Sequence, residues 1–254
     1  MRPLILISND DGIHAAGLIA LAEAVGDIGD VLVVAPERER SAVSQSITLH
    51  KPLRTNEVAP GRFAVSGSPV DCVYLALAHL APRTPDLVIS GINGGYNLGS
   101  DVFYSGTVGA ACEGALKGIP AIAVSRGLAE RENYALAARF AATLGAALLR
   151  RPPPDRTVLN VNVPPGAGER YRWTRLGARV YHDVVETRAD PRGKPYDWIG
   201  GPVVRTEQPS DSDCFAVEHQ LISITPLALD LTAYDLLAEP PPWAVDGFRL
   251  DAPA

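Results

Sequence analysis

A chain of 254 residues with 46% hydrophobic and 20% charged side chains is neither disordered nor membrane-embedded, and it is long enough for one large core. A formal net charge of −6, with no dense Lys/Arg tract, argues against life on a nucleic-acid backbone; small anionic substrates stay open, because a metal ion and backbone N–H groups reverse the sign locally. Cys72, Cys112 and Cys214 form no Cys-x-x-Cys pair and read as reduced, buried thiols, and no apolar run reaches the length of a membrane span, so the expected location is the cytoplasm, with no membrane partner.

Leu4–Ile7 reads as a short, fully buried strand that runs into the turn Ser8-Asn9-Asp10-Asp11-Gly12. Gly17–Val25 carries the apolar period of a helix. Val31–Ala35 is a second buried strand, ended by Pro36, and Arg62–Val65 is another short strand. Ser68 and Pro69 form the N-cap and first turn of a helix that runs to about Leu80. Leu87–Ser90 is a strand that ends in a glycine-rich loop reaching Gly99. Thr107–Lys117 is a helix stopped by Gly118 and Pro120; Ala121–Ser125 is a strand, Tyr134–Leu149 a long alanine-rich helix and Val158–Val163 a strand.

The character changes after about Pro164. Tyr171–Thr187 mixes aromatic, arginine and β-branched residues, Asp190-Pro191-Arg192-Gly193 is a turn, and Ile222–Thr225 is a strand with Pro226 just beyond it. Pro152–Pro154 and Pro240–Pro242 read as rigid loops. Continuous apolar strands alternating with helices predict an α/β fold: a mostly parallel sheet with helices on both faces. We expect a single domain over residues 1–254. Its core ends at about 165, and strands and hairpins at about 170–226 form either an arm against a partner subunit or a covering subdomain.

Ligands of such sheets bind outside the carboxyl ends of the strands, where the candidate functional segments fall. Asp10 and Asp11 stand side by side there. Adjacent carboxylates repel and are costly to desolvate, and a hard divalent cation removes that conflict. The same residues also fit an exposed Asn-Asp-Gly turn in which an aspartate caps the next helix. In Ser90–Gly99, four glycines alternate with Asn93 and Asn97, whose amides can meet a cation or phosphate oxygens. Ser105, Gly106 and Thr107 open a helix, a suitable place for phosphate, although plain N-capping explains them equally. Ser41, after the second strand, offers another hard oxygen. There is no P-loop, no G-x-G-x-x-G after the first strand, no G-x-S-x-G and no paired histidine spacing, which argues against zinc; His14 is close enough to Asp11 in sequence to test.

In this order, the segments resemble the SurE family of stationary-phase survival proteins and 5′-nucleotidases. The resemblance rests on Ser8–Gly12, Val34–Ser41, Gly67–Cys72, Ser90–Asn93, Asn97–Gly99, Tyr104–Ala110, Asp190–Gly193 and Ser223–Leu227, and spans nearly the whole chain. It implies a Rossmann-like core with a β-rich C-terminal extension used in homodimer or homotetramer contacts. It implies phosphomonoesterase activity on nucleoside monophosphates, extending to 3′-nucleotides and short polyphosphate. It implies one divalent ion, Mg²⁺ or Mn²⁺, on Asp10, Asp11, Ser41 and Asn93, with the two aspartates at the chemistry. The phosphate would meet Asn97, Ser105, Gly106 and Thr107, with Asn9 also on the substrate side. Ala42 departs from the family, many of whose members have glycine there.

Overall fold

The computed structural model describes residues 1–129, 133–182, 184–201, 203–204 and 208–238. The Pro240–Pro242 run lies outside them. In chain order the elements are β1 (Leu4–Ser8), α1 (Ala16–Val25), β2 (Asp30–Pro36), β3 (Thr55–Ala59), β4 (Arg62–Val65), α2 (Pro69–Leu75), β5 (Leu87–Gly94), α3 (Gly106–Leu116), β6 (Ala121–Arg126), α4 (Ala135–Arg150), β7 (Thr157–Val163), β8 (Tyr171–Trp173), β9 (Val180–Tyr181), β10 (Val184–Ala189), β11 (Pro195–Gly200), β12 (Val203–Val204), α5 (Asp213–Glu218), β13 (Ile222–Ala228) and α6 (Tyr234–Ala238).

Nine strands form one sheet in the order β3-β4-β2-β1-β5-β6-β7-β13-β8. From β4 to β7 all neighbours are parallel, so each strand end at one edge is a carboxyl end. The apolar runs supply both faces. Ile5, Ile7, Val33, Ile89 and Val124 pack under α1 and α4, whereas Leu4, Leu6, Leu32, Val34 and Val88 pack under α2 and α3. Alternating side chains of one strand thus enter opposite layers, which is why these strands read as unbroken apolar runs. No helix among the described residues is long and apolar enough to cross a membrane.

Several boundaries differ from the sequence reading for local reasons. The strand expected to stop at Ser90 continues to Gly94, with a register shift between Ser90 and Asn93 against β6, so half of the expected glycine loop is strand. The helix expected to reach Leu80 opens into a wider turn at Ala76–Leu80, closed by Ala81 N–H donating to Ala76 O at 2.9 Å. Its start is as read: Ser68 caps Asp71 N–H, and the Asp71 carboxylate accepts from Ser68 N–H. Pro226 lies inside β13, not beyond it. β8 pairs with β13 only over Ile222–Ile224, so at Pro226 that side of β13 is an edge, where a missing N–H costs nothing.

The described strands after residue 170 divide in three, one group being the antiparallel pair β9–β12. β8 and β13 join the central sheet, β13 antiparallel to β7. β10 and β11 instead form a separate hairpin around the turn at Asp190–Gly193, where Asp190 accepts from Gly193 N–H and Arg192 N–H. Every residue of both hairpin strands is exposed.

Candidate functional site

β1 delivers the two aspartates. Behind them, Gly12 turns the chain at φ +105°, a left-handed conformation that glycine tolerates. Asn9 closes this turn: its amide nitrogen donates to Gly12 O at 3.1 Å and its oxygen accepts from Gly12 N–H at 3.2 Å. Asn9 is fully buried, so its side chain shapes the turn from below; it does not face the substrate side as expected. Neither aspartate caps α1, whose N-cap is Ala15 without a side-chain hydrogen bond, and the capped-turn reading of Asn9–Gly12 falls away. Asp11 accepts from Gly94 N–H at 3.3 Å, which ties β1 to the far end of β5.

Asp10 is 4% exposed. Burial pushes its carboxyl up to about 6; a short hydrogen bond from the Thr107 hydroxyl opposes that shift, and the Asp11 charge adds to it. Thr107 is itself fully buried, so its hydroxyl serves Asp10 and is not presented to a phosphate as expected. Gly106 lets the start of α3 approach. A Cβ there would stand 2.9 Å from Asp10 Cβ, 3.0 Å from Asp10 Oδ2 and 3.2 Å from Pro69 Cγ. Ser105 caps α3 by accepting from Val108 N–H at 3.0 Å, so N-capping does hold for it. It also lines the cleft that the aspartates face.

That cleft has a volume of about 340 Å³ and gathers Asp10, Asp11, Ser41, Asn93, Asn97 and Ser105. These come from the carboxyl ends of three strands, β1, β2 and β5, and from the segment that joins β5 to α3. His14 is exposed and does not line it. Asn97 is 7% exposed and held from three sides. Its backbone N–H donates to Asn162, its carbonyl accepts from Asn160 and Asn162, and its amide nitrogen donates to Ser125 at 2.7 Å.

The donor set suits a hard cation. Asn93 donates its amide nitrogen to Gly95 O at 2.9 Å, which leaves the amide oxygen for a cation. Ser41 donates its hydroxyl proton to Glu39 at 2.7 Å, which leaves its lone pairs. Two carboxylates, an amide oxygen and a hydroxyl oxygen are the ligand types of Mg²⁺, Mn²⁺ or Ca²⁺. No cluster of three or more His, Cys, Asp or Glu side chains suited to a metal occurs among the described residues, so such a site leans on its neutral oxygens. Ala42, beside Ser41, sits at φ +56°, a left-handed conformation that glycine adopts more easily, so the departure noted in the sequence carries some backbone strain.

Sequence reading missed five residues that line this cleft: Glu39, Tyr96, Asp101, Tyr104 and Tyr181. Tyr181 lies 80 residues beyond Asp101 in the chain, yet its hydroxyl donates to both Asp101 carboxylate oxygens at 2.8 Å. Glu39, Tyr96 and Tyr104 lie inside segments already singled out, Val34–Ser41, Ser90–Gly99 and Tyr104–Ala110, as residues given no role there; Asp101 and Tyr181 carry no local signal.

A family model described as Survival protein SurE matches residues 5–183. A protein of Anaeromyxobacter dehalogenans (strain 2CP-C) named 5′-nucleotidase SurE is 52% identical over 249 residues, covering 96% of this chain and 97% of that protein. A protein of the same name from Myxococcus xanthus (strain DK1622) is 49% identical over 252 residues, covering 98% and 96%. The crystal structure of the SurE protein from Aquifex aeolicus matches with a TM-score of 0.82 at 39% identity, over 93% of this chain and 97% of that one.

Proposed function

The chain belongs to the SurE family, and from that premise we propose that it is a divalent-metal-dependent phosphomonoesterase that releases phosphate from nucleoside 5′-monophosphates. The observation that carries this reading is the shared cleft: Asp10, Asp11, Ser41 and Asn93 meet the start of α3 on the carboxyl edge of the sheet. Nucleoside 3′-monophosphates and short polyphosphates belong to the same proposal, since they present the same terminal phosphoryl group.

Asp10, Asp11, Asn93 and Ser41 would hold one Mg²⁺ or Mn²⁺. When bound, that ion supplies Lewis-acid polarisation of the phosphoryl group and activation of water. The other roles fall to the chain itself. The Ser105 hydroxyl, the Asn97 amide and the backbone N–H groups of Gly106 and Thr107 at the helix start hold the phosphate and stabilise charge that develops on it. The Thr107 hydroxyl fixes the orientation of Asp10, and Asn9 fixes the turn that carries it. Water is the nucleophile in this reading, with an aspartate orienting it, because both carboxylates would be engaged with the ion. A phosphoaspartate trapped during turnover would overturn that assignment.

The same proposal takes the chain to be a homodimer or homotetramer acting in the cytoplasm. The exposed hairpin β10–β11, with Trp198 60% and Ile199 91% exposed, supports a contact with a second copy, and three unpaired buried cysteines support a reducing compartment. Residues 1–254 form one domain in this account, with the hairpin as its arm.

The substrate class is tested by phosphate release from AMP, 3′-AMP, tripolyphosphate and glycerol phosphate, with Mn²⁺ or Mg²⁺ and with EDTA as control. Release from AMP that requires the metal is expected. Binding of AMP with no phosphate release would replace the enzyme by a nucleotide-binding module.

A further inference from the structure

The carboxylates and the helix start account for only part of the cleft. Tyr96, Asp101, Tyr104 and Tyr181 also line it, and the phosphate chemistry uses none of them. Tyr104 directly precedes Ser105, so this aromatic wall adjoins the place where a phosphate would sit. Its side chain is unusually open for a residue in a cleft, at 68% exposure, and makes no hydrogen bond to another described residue. A large ring presented in this way has a free face.

Tyr181 is set differently. It belongs to β9, in the segment added after the main sheet, yet it reaches back to the cleft of the core. Two contacts keep it there. Its hydroxyl donates to Asp101, and the Arg179 guanidinium lies over its ring, 5.6 Å from the centroid. Arg179 in turn pairs with Asp101 at 2.8 Å, where both side chains are mostly buried. Burial and the Asp101 carboxylate raise the Tyr181 phenol to about 12, so it keeps its proton and continues to donate. The ring is therefore held in one orientation before any ligand arrives.

A ligand that fits such a cleft is anionic at one end and flat at the other. A volume of about 340 Å³ lies near the lower end of the roughly 300–1,000 Å³ of small-molecule sites. Base–aromatic stacking is tolerant of base identity, because every base has a π-face.

We propose that Tyr104 and Tyr181 form the nucleoside subsite of this cleft, stacking on or walling in the base, with Asp101 and Arg179 as positioning residues that hold Tyr181 in place. The inference rests on the phosphatase reading for the other half of the ligand. It makes the C-terminal addition a direct contributor to substrate choice.

The test is a ratio: kcat/KM for AMP divided by kcat/KM for glycerol phosphate, which has the ester but no ring. Tyr104→Ala should lower this ratio roughly tenfold, mainly through KM for AMP, and Tyr104→Phe, which keeps the ring, should restore it. Tyr181→Ala should lower it as well. A ratio unchanged in Tyr104→Ala and Tyr181→Ala, or a wild-type protein with no preference for AMP over glycerol phosphate, would overturn the subsite. Calorimetric titration with adenosine separates the two readings. Should the wild type hydrolyse neither ester, the phosphatase reading fails, and the subsite is then judged by adenosine alone: weaker binding to Tyr104→Ala than to wild type upholds it, and no binding to wild type or equal binding to both overturns it.

Discussion

Asp10→Asn should lower phosphate release from AMP by at least about a thousandfold while leaving the chain folded. The reasoning starts from burial. At 4% exposure, Asp10 has little water to solvate a charge, and Asp11 stands beside it. A carboxylate kept in that position at the end of a buried strand costs stability and needs a compensating function. The neutral amide keeps the size and can still accept from Thr107, so the turn survives while the charge that would hold a cation is gone.

Stability should move in the opposite direction. The folded chain holds the Asp10 proton up to about pH 6, whereas the unfolded chain releases it near pH 4. Folding therefore favours the protonated form, and ionised Asp10 opposes folding above about pH 6. The penalty fades as pH falls, and it is absent below about pH 4, where both states are protonated. In chelator-treated protein at pH 7, Asp10→Asn should stabilise by on the order of 2 kcal/mol, a rise of several degrees in Tm. At pH 4 the difference should vanish. Full activity of this variant, or a melting temperature lower than wild type at pH 7, would contradict the account.

Gly106→Ala should cost about a hundredfold in kcat/KM with little change in the circular dichroism spectrum. Its Cβ would come within 2.9 Å of Asp10 Cβ and 3.0 Å of Asp10 Oδ2, so either the carboxylate or the first turn of α3 must shift. Both belong to the proposed chemistry. Helix propensity acts the other way, since alanine is better than glycine inside a helix by about 1 kcal/mol, so lost stability is not the expected cause. Gly168→Ala is the control, because a Cβ there meets nothing within 4 Å. Activity of Gly106→Ala within about threefold of wild type would show that the start of α3 does not have to sit against Asp10.

The parallel core was legible because its physics is local. A strand covered on both faces is mostly apolar, as Leu4–Ile7, Val31–Ala35 and Ala121–Val124 are; in Val158–Val163 the buried Asn160 and Asn162 break the run because they hydrogen-bond to Asn97. β3 was not legible: Thr55-Asn56-Glu57-Val58-Ala59 is mostly polar because it is an antiparallel edge strand with exposed residues. Nor was α5, a six-residue helix too short to show a period. It owes its place to Asp213, which is buried and accepts from Gly99 N–H and Gly177 N–H, contacts of 114 and 36 residues' separation.

The candidate site divides in the same way. Asp10, Asp11, Asn93, Asn97 and Ser105 sit in short segments whose residue types already suggested oxygen ligands and phosphate donors. What sequence could not give was the direction of each side chain. Thr107 and Asn9 belong to the site but face inward, toward Asp10 and Gly12, because each can satisfy a buried partner there. Tyr181, Arg179 and Asp101 were invisible because only the folded chain brings β9 over the loop after β5.

The central claim is that this cleft hydrolyses a phosphomonoester with the help of one divalent ion. The most direct measurement is phosphate release from AMP by metal-stripped protein as Mn²⁺ is added stepwise. The account predicts no release at the start, a rise with each addition and saturation at one ion per chain. Undiminished release from the stripped protein, or none at any Mn²⁺ or Mg²⁺ concentration, would contradict it.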